Sequence, residues 1–160
     1  MDDVCGLPSG GSVRIAARAL PPEGAPATLP ARVVATEPAA QLIRELVERH
    51  GPVMFHQSGG CCDGSAPMCY PVGEFHIGMR DVLVGDLPVG DARIAVWISG
   101  SQFEAWKHTQ LVLDAVPGRG SGFSLETPTG RRFLSRARVF TTDEIKALED
   151  VPVVLGIDRD

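Results

Sequence analysis

An α+β fold, rich in β-structure and built on a largely antiparallel or mixed sheet, is the architecture this sequence predicts. Three observations predict it. Only one long stretch carries helical periodicity: Ala39, Leu42, Ile43, Leu46 and Val47 recur as a single apolar stripe. Short apolar or alternating runs of strand length dominate the rest, at 52–56, 74–77, 82–84, 93–98, 111–116 and 132–140. The 18 glycines and 13 prolines among 160 residues dictate many turns and few long helices. That composition excludes a coiled coil and argues against a purely helical bundle.

Each element has a local reason. Residues 1–31 are rich in Gly, Pro and Ala, with Pro21-Pro22, and read as a flexible tail holding at most a short strand near Val13–Ala17. A single domain is expected over 32–150, followed by a tail at 151–160. Val33-Val-Ala35 is a short strand. Thr36 then has the chemistry of an N-cap, with Glu37 and Pro38 in the first helical turn. Gly51-Pro52 ends that helix, the long helix near the N-terminal end of the domain. Ser101 and Glu104 have capping-box spacing before a short helix at 102–106, and Thr141 and Glu144 repeat it before a helix ending near Leu148. Phe123–Leu125 reads as a short strand after the glycine-rich turn 118–122.

Charge and hydropathy narrow the function. The formal net charge is -5 and the mean hydropathy is +0.06. An acidic chain has no general attraction to the phosphate backbone, so no nucleic-acid partner is expected. No apolar run reaches membrane-spanning length and no secretory pattern opens the chain, so a cytoplasmic protein with no membrane partner is expected. The basic run Arg131, Arg132, Arg136 and Arg138 reads as a solvated strand face. There is no Walker loop, and Gly118-Arg-Gly-Ser-Gly122 lacks the context of a dinucleotide fingerprint, so no nucleotide cofactor is expected.

The cysteines carry the chemistry. Of four, Cys61, Cys62 and Cys69 lie within nine residues, in a segment whose glycines bring backbone N–H groups close to a thiolate or ligand. Thiolates select zinc, copper(I) and iron–sulfur clusters, and imidazole completes such sets. The spacing is not that of a zinc finger, because six residues separate Cys62 from Cys69. The candidate metal ligands are Cys61, Cys62, Cys69, His56 and His108, with Gly59, Gly60, Asp63 and Gly64 supporting the loop. Packing competes with ligation at Cys69 and His56, and His76 and His50 have plainer roles. No pair of acids stands out as an acid–base couple.

Two resemblances follow from these residues. Phe55-His-Gln-Ser-Gly-Gly-Cys-Cys-Asp-Gly-Ser65, Pro67-Met-Cys-Tyr-Pro71, Trp106-Lys-His-Thr-Gln110 and Phe123-Ser-Leu-Glu126 resemble a small bacterial family, domain of unknown function 779. That resemblance covers about residues 32–146 and implies service beside an aldehyde dehydrogenase or an alcohol-oxidising system. The order of elements also resembles the A-type iron–sulfur carriers, the HesB-like family, with Gly59-Gly-Cys61 at the position of their ligand loop. It implies a HesB-like mixed sheet or barrel and a homodimer. The carriers end in a paired-cysteine motif that Gly130–Phe140 lacks, so only Cys61 carries over.

The expected function is a small metal-binding accessory protein linked to aldehyde or alcohol oxidation, holding zinc, iron or an iron–sulfur cluster through the Gly-Gly-Cys-Cys loop. Binding rather than catalysis is expected. One alternative is a thiol-based enzyme or aldehyde binder with a reactive cysteine. Another is a scaffold for a dehydrogenase, presenting Trp97, Phe103 and Trp106.

Overall fold

The computed structural model describes residues 14–22, 24–26, 28–57, 67–119 and 124–158. Among these residues nine strands and three α-helices follow in the order β1 (Ile15–Arg18), β2 (Val33–Thr36), α1 (Glu37–His50), β3 (Val53–Gln57), β4 (Met68–Pro71), β5 (Val82–Val89), β6 (Ala92–Ile98), α2 (Gly100–Trp106), β7 (Thr109–Pro117), β8 (Arg131–Val139), α3 (Thr142–Glu149) and β9 (Val154–Leu155). The class is α+β. The strands form two mixed sheets, ordered β1-β2-β7-β8 and β4-β3-β6-β5-β9. Each sheet has a parallel pair at its centre, β2 with β7 and β3 with β6. Antiparallel partners flank both pairs.

Two expectations about this architecture are corrected. Among the described residues the sheets stay separate and close into no barrel. The expected long N-terminal helix is not what opens the fold: two strands precede α1, which has 14 residues. The short strand expected near Val13–Ala17 is β1, where Ile15–Arg18 pairs antiparallel with β2. Beyond it, the Ala19 N–H donates to Val33 O and the Leu20 N–H to Asp86 O, so this segment ties one sheet to the other. That tie needs the glycine at 85, where a Cβ would lie 2.5 Å from Ala19 Cβ. At the other end, β9 adds to the edge of β5 through Val82 and Leu83.

Capping explains where the helices begin. Thr36 Oγ1 accepts the Ala39 N–H at 3.3 Å and donates to Asp114 Oδ1 at 2.7 Å, so one hydroxyl caps α1 and ties it to β7. Helix α2 is capped by Ser99 instead of Ser101: Ser99 leaves β6 extended, and its Oγ accepts the Gln102 N–H. The box at Thr141 and Glu144 is complete in both directions. Thr141→Ala is expected to cost about 1 kcal/mol, read as a lowered urea midpoint with an unchanged denaturant slope.

The expected strand at 74–77 is a turn region, and Ser124–Leu125 is not strand. Both segments have work elsewhere. The β4–β5 connection folds back over the outer face of β3, with the Phe75 ring 4.5 Å from that of His56 and 4.6 Å from that of Tyr70. This explains why β3 is buried on both faces. One apolar cluster joins the helix stripe, Leu42, Ile43 and Leu46, to Phe55 and Cys69 of one sheet and Leu113 and Phe133 of the other. The Phe55 and Phe133 rings meet edge to face at 4.7 Å. Trp97, Phe103 and Trp106, considered above as a docking surface, are buried. Among the described residues no helix is long and apolar enough to cross a membrane.

Candidate functional site

The hairpin β3–β4 sorts the candidate ligands by register. Phe55 pairs with Cys69, and His56 with Met68. Side chains alternate across a strand, so Phe55, Gln57 and Cys69 share the inner face while His56, Met68 and Tyr70 share the outer one. Cys69 and His56 therefore lie on opposite sides of one sheet and do not meet.

The inner face gathers buried polar groups. Cys69 is fully buried. Its backbone N–H donates to Ser124 Oγ at 2.8 Å, and its carbonyl accepts the Leu125 N–H at 3.0 Å. The segment after β7 thus covers the free edge of β4, which would otherwise expose unpaired backbone groups. Ser124 Oγ donates in turn to Glu126 Oε1. Beside them, Ser135 Oγ of β8 donates to Gln57 Oε1 at 2.8 Å, with both residues buried. The cluster sits at the end of the hairpin where Gln57 leads into the Gly-Gly-Cys-Cys segment.

Glu126 is the residue that the sequence reading missed. It is only 1% exposed. Burial pushes its carboxyl above the ordinary range, although hydrogen bonds from Ser124 and from the backbone N–H groups of Glu126 and Phe133 pull the other way. Among the described residues no Lys, Arg or His neutralises it. The Cys69 thiol is pushed up strongly, first by burial and then by the nearby Glu126 carboxyl. A buried thiol next to a buried carboxyl stays protonated unless a cation arrives, and a cation favours the ionised form of both. The one signal in the sequence was Glu126 closing the Phe-Ser-Leu-Glu motif, an acid in an otherwise apolar run.

The outer face is built differently. His56 Nε2 is 2.9 Å from Asp81 Oδ2, which also accepts the Gly78 N–H at 2.8 Å. The imidazole is thereby held by a carboxylate and packed against Phe75. His108 lies elsewhere: it is exposed in the turn after α2, where its carbonyl accepts the Phe140 N–H. Among the described residues no group of three or more His, Cys, Asp or Glu side chains is gathered for a metal. Cys61, Cys62, Gly59, Gly60, Asp63 and Gly64 lie outside the described residues. The basic run of β8 is paired rather than free: Arg131 binds Glu45 of α1, Arg136 binds Asp114 and Arg138 binds Glu144.

Comparison with known proteins agrees with the motif resemblance and adds no activity. No curated protein and no solved structure matches the chain. A family model for a domain of unknown function (DUF779) matches residues 42–139, which run from the middle of α1 to the end of β8 and include the whole hairpin, its connecting segment and Glu126. The chain therefore belongs to the DUF779 family.

Proposed function

We propose that the chain is a small metal-binding accessory protein whose ion is held by thiolates of Cys69, Cys61 and Cys62 with the Glu126 carboxylate as a further donor. One observation carries this reading: a thiol and a carboxyl are buried together, each made less acidic by its surroundings, with no basic partner among the described residues. Thiolate and carboxylate donors suit zinc or iron, and an all-thiolate subset suits an iron–sulfur cluster. This reading leaves out His56, which faces away from Cys69, and His108, which lies in the turn after α2. The family resemblance, rather than the geometry, extends the reading to an aldehyde- or alcohol-oxidising partner. In the alternative, thiol addition to an aldehyde carbonyl, the nucleophile is Cys61 or Cys62, because the buried Cys69 thiol resists ionisation.

Elemental analysis of the full chain, purified anaerobically without chelators, tests the proposal. About one metal per chain is expected, falling below a tenth of that in Cys69→Ser and in the Cys61→Ser/Cys62→Ser double variant. Absorption in the visible range would identify iron–sulfur, and a colourless loaded protein zinc. Full stoichiometry in both variants, or no metal after reconstitution, overturns the site. Rapid alkylation of the metal-free protein by iodoacetamide, indifferent to added metal, would favour the thiol nucleophile.

A further inference from the structure

A cavity lies among residues other than those gathered around Cys69. Its volume is about 640 Å³, within the range of small-molecule sites. Its walls come from the chain between β1 and β2, the first half of β5, Arg93 of β6 and the stretch from the end of α3 into β9. Pro21, Pro22, Pro30 and Pro152 line it with Leu29 and Leu83. Prolines contribute no backbone N–H, so an aliphatic chain lying against them desolvates few donors.

One charge in this apolar setting stands out. Arg32 is half-buried, and burial lowers its tendency to hold its proton. Among the described residues its guanidinium binds no carboxylate; Nη1 donates to the Lys107 carbonyl at 3.3 Å, and the group stacks 5.2 Å above the Phe103 ring. Arg131, Arg136 and Arg138 each hold an acid. A guanidinium has five N–H donors arranged to grip a carboxylate. Among the described residues, Asp86 and Arg93 also line the cavity with one charge of each sign, and Arg32 adds a further positive one. The same side chain borders a neighbouring cavity of about 280 Å³, shared with Phe103 and Leu148.

We propose that this cavity binds a medium-chain aliphatic carboxylate, its head on the Arg32 guanidinium and its chain along the proline and leucine walls. The inference is independent of the metal site.

Calorimetric titration of decanoate into the full-length chain tests it, with decanol and decyltrimethylammonium as neutral and cationic controls of equal chain length. One decanoate per chain is expected, bound at least tenfold more tightly than either control. Arg32→Gln should weaken decanoate at least tenfold and leave decanol nearly unchanged. Leu29→Asp, a half-buried wall position, should weaken decanoate with Arg32 intact, and circular dichroism checks that both variants fold. Equal binding of decanoate and decanol, undiminished binding by folded Arg32→Gln, or no binding at millimolar decanoate overturns the proposal. The wild-type comparison of the three amphiphiles stands even if Arg32→Gln fails to fold.

Discussion

Phe55→Ala is expected to destabilise the protein by about 3–5 kcal/mol, the cost of removing a large ring from a core that cannot collapse around the void. Phe55 is fully buried at the centre of β3, and its ring meets that of Phe133 edge to face across the two sheets. With the Ser135–Gln57 hydrogen bond, the pair links the hairpin that ends in the candidate site to the sheet that carries Ser135. At roughly 2–4 °C per kcal/mol for a chain of this size, the melting temperature should fall by about 6–20 °C. Met54 gives a control on the same strand: it faces the outer side and is also buried, but Met54→Leu keeps its volume and should cost less than about 1.5 kcal/mol. Thermal unfolding followed by circular dichroism reads both. A Phe55→Ala variant that melts within 2 °C of the wild type would mean that the sheets are held together elsewhere.

The parts of the fold legible in the sequence were those with local causes. The α1 stripe, its Thr36 cap and its Gly51-Pro52 stop are set by neighbours within a few residues, and the structure places the helix between Thr36 and Gly51. The box at Thr141 was equally local. Ser101 misled because two serines stand near the helix start, and the backbone of β6 hands the cap to Ser99, whose N–H is already held by the Gln57 carbonyl. β9 was not legible, and β1 showed only as a short strand near Val13–Ala17: each exists only because a distant strand edge accepts it, β5 for one and β2 for the other. His76 was expected in a strand, but the 74–77 run alternates only because Phe75 turns inward onto His56 and Tyr70 while His76 stays exposed.

The site divides along the same line. Cysteine clustering pointed to the β3–β4 hairpin. It could not say that the strand pairing of Phe55 with Cys69 turns His56 away from the thiol, because register is a property of two strands. Nor could it single out Glu126, whose importance comes from its burial beside Cys69, 57 positions earlier in the sequence. A carboxylate in an apolar motif is visible in one sequence, but its neighbour is not.

Glu126→Gln should therefore reverse its effect with metal. In chelator-treated protein, the folded-state pKa of Glu126 lies above that of the unfolded chain, where a glutamate titrates near 4.3. The native state then binds the extra proton. Its contribution to stability is complete below that unfolded value and is lost as pH rises through the raised native one. Glutamine removes the ionisation, has nearly the same shape, and its amide oxygen can still accept the Ser124 hydroxyl. At pH 5 the variant and the wild type should melt close together. At pH 8 the variant should be the more stable, by about 1–3 kcal/mol, the penalty of a buried charge left without a partner. Added zinc or iron inverts that order: the ionised carboxylate and the Cys69 thiolate become donors, so the wild type gains stability by ligand linkage and the variant gains less. Differential scanning calorimetry at the two pH values, with and without metal, reads all four states. A variant that is no more stable than wild type at pH 8 without metal would show that the carboxylate is satisfied where it lies. A metal-induced gain equal in both proteins would remove Glu126 from the ligand set and leave the thiolates to hold the ion alone.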